Sequence, residues 1–124
     1  MLEGQSIESI SLKIKSQELK SEDVVKFFLD KIKNYNKDLN AIVSLRDETE
    51  IISEAKEKDR LFDNGNKIGL LHGMPLAIKD ITDVKKLPTS FGCMEYKNNF
   101  PDEDSIISER LKKEGAIIIG KTNT

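Results

Sequence analysis

The sequence predicts an α/β protein in which charged amphipathic helices pack on a mixed or parallel sheet. Three observations lead there. Residues 1–66 carry apolar positions at helical spacing, whereas from Ile68 the chain turns to short apolar runs punctuated by Gly and Pro. Ala116-Ile117-Ile118-Ile119 is a continuous apolar run, as expected of a strand covered on both faces. The order strand, helix, strand in the second half implies a right-handed parallel crossover. Residues 1–66 are therefore read as an N-terminal helical layer, and 67–124 as the strand–loop–helix–strand start of a sheet, together one domain's worth or a piece of a larger one.

Each element has a local reason. Ser6-Ile7 opens a helix with Ile7, Ile10 and Ile14 three and four apart. Ser21 reads as the cap of a second helix, with Glu22 and Asp23 at the positive end of its dipole and an apolar stripe of Val25, Phe28, Leu29 and Ile32. Asn34 to Lys37 is expected to end it, and Ala41-Ile42-Val43 to form a short strand. Asp47 to Glu50 reads as a capping box for a third helix, which buries Ile51, Ile52, Ala55 and Phe62 and stops at Gly65. Met74 to Ile78 is a strand, and Asp80 to Pro101 a long irregular loop of the kind that often carries function. Asp104 or Ser105 caps a last helix, with Ile106, Ile107 and Leu111 expected inward and a stop at Gly115.

Composition removes several classes of function. The net charge is −2 with both signs interspersed, so nothing electrostatic points to nucleic acid or an anionic membrane. No apolar run reaches bilayer-spanning length, and the N-terminus lacks the pattern of a secretory signal. Cys93 is the single cysteine and fits a reducing compartment, cytoplasm by default. With one histidine, His72, no His/Cys metal cluster can form, and no cofactor is implied. A thiolate pair of Cys93 with His72 has no spacing to orient it.

The chemistry-bearing stretch is "GMPLAIKD", Gly73 to Asp80, an apolar strand that ends in a lysine. Alternation puts Pro75, Ala77 and Lys79 on one face and Met74, Leu76 and Ile78 on the other. The lysine thus shares its side with small residues, which leaves room above it. It also sits at the carboxyl end of its strand, where open parallel sheets place ligand crevices, and "GKT" at residues 120–122 should lie along the same edge. A lysine withdrawn from water loses its preference for the charged form, and a neutral amine can take a proton from a serine hydroxyl. The bland alternative is a lysine that snorkels off the strand end and pairs with Asp80 or Asp83.

Residues 115–122, "GAIIIGKT", spell the phosphate-loop pattern in the wrong setting. That loop needs small residues after a strand and before a helix. Here Ala and three Ile fill the interval, Gly115 ends a helix, and the lysine and threonine are expected after the strand.

Set side by side, "GMPLAIKD", "LPTSFG" and "DEDSIISERLKKEGAIIIGKTN" resemble the amidase signature family in order and spacing, over roughly Asn40 to Thr124. The fold so implied is the N-terminal portion of the amidase signature fold. The resemblance implies amide hydrolysis by a Ser–cis-Ser–Lys triad, with Lys79 as the base, Asp80 in a supporting place, Thr89 and Ser90 in the loop bordering the pocket, and Asn123 closing the last motif. It implies a small-molecule amide substrate, and as partners either a second copy or the other subunits of an aminoacyl-tRNA amidotransferase. "LPTSFGC" looks more like the general amidases than the amidotransferase A subunits, and a non-catalytic binding or assembly domain of the same fold is the other alternative. The family's two serines lie in a Gly/Ser-rich stretch beyond "GKTN", and no serine of this sequence stands in a matching motif. The chain is therefore expected to carry the base without the nucleophile and to be inactive alone. Ser90 as a substitute nucleophile is a poorer reading than Ser90 satisfying its own loop.

Overall fold

The computed structural model describes residues 2–124. Four helices, α1 (Ile7–Lys15), α2 (Ser21–Leu39), α3 (Glu48–Asp63) and α4 (Ile106–Lys113), surround three strands, β1 (Ile42–Leu45), β2 (Pro75–Lys79) and β3 (Ile117–Thr122). The sheet order is β1-β3-β2, with β3 parallel to β2 and antiparallel to β1. The sheet is mixed, and β1 reaches it from within the helical half of the chain.

Local capping works where expected at three starts. Ser6, Asp47 and Ser105 accept from the amides of Ser9, Glu50 and Ser108. Ser21 does not cap α2. It is the first helical residue, and its hydroxyl donates to the Gly73 carbonyl at 2.7 Å. Asp59 of α3 caps α2 instead, its carboxylate accepting from the Ser21 and Glu22 amides at 2.7 and 3.0 Å. The opening amides are thus satisfied across the helix pair rather than locally. Nor does α2 end at Asn34 to Lys37. Nothing there breaks a helix, and it runs on to Asn40, which takes the left-handed conformation at φ 49°.

One core joins Val25 and Leu29 of α2, Ile51 and Ala55 of α3, and Ile117 and Ile119 of β3. A second, of Ile78, Val84, Leu87 and Ile118 with Leu111 alongside, covers the opposite face. β3 is therefore sandwiched, which its run of β-branched residues foretold. α4 packs with a different phase from the one expected. Ile106 and Ile107 are 67% and 60% exposed, and Ser108 is buried. The polar anchors set the rotation: the Ser108 hydroxyl donates to the Asp83 carbonyl at 2.7 Å and the Ser105 amide to the same oxygen at 3.1 Å.

The β2–β3 register slips by one residue. Leu76 faces Ile118, but Ala77 faces Gly120, so Ile119 is the extra residue. At that point a Cβ on Gly120 would lie 2.2 Å from the Ser44 carbonyl oxygen, so only glycine lets β1 approach. Beyond the slip Ile78 is level with Lys121 and Lys79 with Thr122. Strict alternation would have turned position 121 towards the α2–α3 side. The slip turns it to the side of Ile78 instead. β3 also includes Gly120, Lys121 and Thr122, which the sequence placed after the strand.

Candidate functional site at the carboxyl ends of β2 and β3

The two carboxyl strand ends meet on one edge, with Lys79 opposite Thr122. Lys79 itself is exposed in the structure, not withdrawn from water, and none of the hydrogen bonds or ion pairs described for this edge involves its amine. Its neighbours on the same strand face, Pro75 and Ala77, line an apolar groove of about 430 Å³ against Phe28, Ile32, Tyr35 and Leu39 of α2. The room expected above the small residues is there.

Asp80 is buried where the chain leaves β2. Its amide donates to the Thr122 carbonyl at 3.1 Å, its carbonyl accepts from the Phe91 amide at 2.9 Å, and Oδ1 accepts from the Ser90 amide at 2.9 Å. The Ser90 hydroxyl donates to Oδ2. Gly92 in turn donates its amide to Ser90 Oγ at 3.3 Å. Ser90 is thus tied into its own loop. Thr89 is fully buried beneath it. A cavity of about 310 Å³ is lined by Asp80, Ser90, Cys93, Ser44, Asn40 and Asn123. Asn123 closes the edge by donating its amide to the Ala41 carbonyl at 2.8 Å and Nδ2 to the Asn40 carbonyl at 3.0 Å.

Of the residues singled out from sequence, Asp80, Ser90 and Asn123 share this cavity. Thr89 is buried and does not line it, and Lys79 is not among its lining residues but immediately precedes Asp80 in the chain, level with Thr122 of β3. His72 does not come near Cys93. It precedes the start of β2, and its Nε2 sits 2.8 Å from the Lys58 carbonyl, so the thiolate pair has no geometry.

The residue that sequence reading missed is Lys121. It is the one lysine fully buried among the described residues. Its Nζ donates to Thr89 Oγ1 at 3.1 Å, the Pro88 carbonyl at 3.2 Å and Asp80 Oδ1 at 3.5 Å. The signal was present: a lysine inside a strand buried on both faces requires an acceptor, and Asp80 ends the adjacent parallel strand. The register slip, invisible in the sequence, hid the pairing.

Burial pulls the Lys121 amine below its ordinary value, and the charges of Asp80 and Asp83 only partly oppose this. Burial also pushes the Asp80 carboxyl up, but the two Ser90 hydrogen bonds and the Lys121 charge outweigh it, and Asp80 ends below 3.8. Asp104, paired with Lys112, is likewise lowered against its burial, and burial lowers His72 from 6.5. All of these folded values are depressed, so the unfolded chain binds more protons and stability falls on acidification. Urea unfolding should show stability lost in three windows: as pH falls from 10.5 through the Lys121 value, from 6.5 through the His72 value, and below 3.8 through those of Asp80 and Asp104. Stability that rises between pH 7 and about 5 would contradict these assignments.

Comparison with known proteins places the chain in a family. The family model described as Amidase matches residues 23–124. This chain belongs to the amidase family. The second A subunit of the glutamyl-tRNA(Gln) amidotransferase of Clostridium acetobutylicum is 36% identical over 118 residues, which cover 95% of this chain and 24% of that protein. An acylamidase of Rhodococcus erythropolis is 32% identical over 119 residues, 96% of this chain and 25% of that one. The crystal structure of the native peptide amidase of Stenotrophomonas maltophilia superposes with a TM-score of 0.89 at 28% identity, covering 98% of this chain and 25% of that one. This amidase-family chain therefore spans about a quarter of the length of the relatives it matches, and its fold is the corresponding part of the amidase signature fold.

Proposed function

We propose that this edge is the base-bearing half of an amide-hydrolysing site, working on a small-molecule carboxamide in the cytoplasm. The observation that supports the reading is the place of Lys79, at the carboxyl end of β2 and level with Thr122, in a chain of the amidase family. Lys79 takes a proton from a bridging serine, which takes one from the nucleophilic serine. Neither serine is supplied by a motif of these 124 residues. The nucleophile adds to the amide carbonyl, the C–N bond breaks, and the relayed proton leaves with ammonia or an amine. Water then cleaves the acyl–oxygen bond to release the carboxylate. In this reading the exposed Lys79 amine is covered by sequence that brings the serines. Asp80, Thr89, Ser90 and Asn123 shape the pocket wall rather than transfer protons.

The 36% identity to an amidotransferase component favours a second reading, a glutaminase working with partner subunits. Ammonia release by the intact protein separates the two. Hydrolysis of propionamide is the expected result. Release from L-glutamine alone would select the amidotransferase reading, and release from neither would overturn both in favour of a non-catalytic domain.

A further inference from the structure

Lys121 is an expensive choice for the middle of a core. A buried ammonium loses its hydration, and an apolar side chain of similar volume commonly serves stability as well or better. What the ammonium does here is join two segments. Its acceptors are Asp80, at the end of β2, and Pro88 and Thr89, in the loop that returns over the strand ends. Asp80 carries the connection onward, its carboxylate accepting from the Ser90 amide and hydroxyl and its main-chain carbonyl from the Phe91 amide. Phe91 stands at φ 55°, a left-handed conformation that persists only where its surroundings over-determine it. Ser90, Gly92 and Cys93 then form one wall of the cavity whose other walls are β1 and Asn123.

We infer that Lys121 is a positioning residue: through Asp80 it locks the Thr89–Cys93 wall against the strand end that carries Lys79, so that substrate and base are held in register. The functional half of this inference rests on the proposed amide hydrolysis. The structural half does not. A wall released from Asp80 would move by the order of 1 Å, and displacements of that size cost about a hundredfold in rate.

The test uses the intact protein, with ammonia release from propionamide as one readout and amide hydrogen exchange as the other. Lys121→Met should lower kcat/KM about thirty-fold, chiefly in kcat, and should speed exchange at the Ser90 and Phe91 amides at least about ten-fold while α2 keeps its protection. Because Ser90→Ala acts through the same carboxylate, the double variant should lose little more than the worse single one. Multiplicative losses, or unchanged exchange at Ser90 and Phe91, would overturn the inference. If Lys121→Met does not fold, Thr89→Val removes one acceptor at near-constant volume, and the same pattern is expected at about a third of the size. If the wild type releases no ammonia, or Lys79→Ala retains turnover, the hydrolase reading fails instead, and the exchange result alone decides whether the clamp exists.

Discussion

Lys79→Ala in the intact protein should lower kcat/KM for propionamide by at least about a thousandfold, with no change in circular dichroism and little in stability. A positioned general base contributes about 10²–10⁴-fold, and in the proposed mechanism the same amine would start the proton relay for both acylation and deacylation. The fold should survive because the side chain is exposed at the end of β2 and no described hydrogen bond depends on it. Lys79→Arg should fare no better, since a guanidinium stays protonated and cannot act as a base. A well-folded Lys79→Ala enzyme with turnover within about ten-fold of wild type would remove Lys79 from the chemistry.

The largest effect on stability is expected one residue further on. Asp80→Ala should lower the unfolding free energy by about 3–5 kcal/mol in urea titrations, without changing their slope. The substitution leaves the Lys121 ammonium buried with only two neutral acceptors. It also strips the amide and hydroxyl of Ser90 of their shared acceptor. Unmet buried donors cost more than the bonds themselves are worth. Asp80→Asn keeps one carbonyl oxygen and should lose less. Replacing both partners, as in Asp80→Ala with Lys121→Met, should recover part of the loss, since no buried charge then remains unpaired. A loss under about 1 kcal/mol for Asp80→Ala would mean that the pair is solvated and the clasp unimportant.

What could be read from the sequence was whatever a few neighbouring residues decide. Asp47, Ser6 and Ser105 cap the amides three residues on, and the geometry of one turn suffices for that. The apolar run of β3 and its parallel pairing with β2 follow from composition and order. Ser21 failed as a cap because Asp59, 38 residues away on the neighbouring helix, accepts from the opening amides of α2, including that of Ser21 itself. The inward face of α4 was misjudged because Ser108, anchored to Asp83, outcompeted Ile106 and Ile107 for the interior.

The candidate site divides the same way. Alternation singled out Lys79 at its strand end, and the family resemblance added Asp80, Thr89, Ser90 and Asn123, of which Asp80, Ser90 and Asn123 line one cavity in the structure. Lys121 was set aside with the phosphate-loop look-alike. Its orientation depends on a single extra residue, Ile119, opposite the Leu76–Ala77 link, and on a glycine that lets β1 come within reach. Pairing register is a property of two strands, and no single segment encodes it.

The most direct measurement of the central claim is the rate at which the intact protein is sulfonylated on serine by phenylmethanesulfonyl fluoride, followed by intact mass in wild type and Lys79→Ala. If the Lys79 amine activates the nucleophile, the wild type gains one sulfonyl group and the variant reacts at least about a hundredfold more slowly. Equal rates in two equally folded proteins would contradict the account.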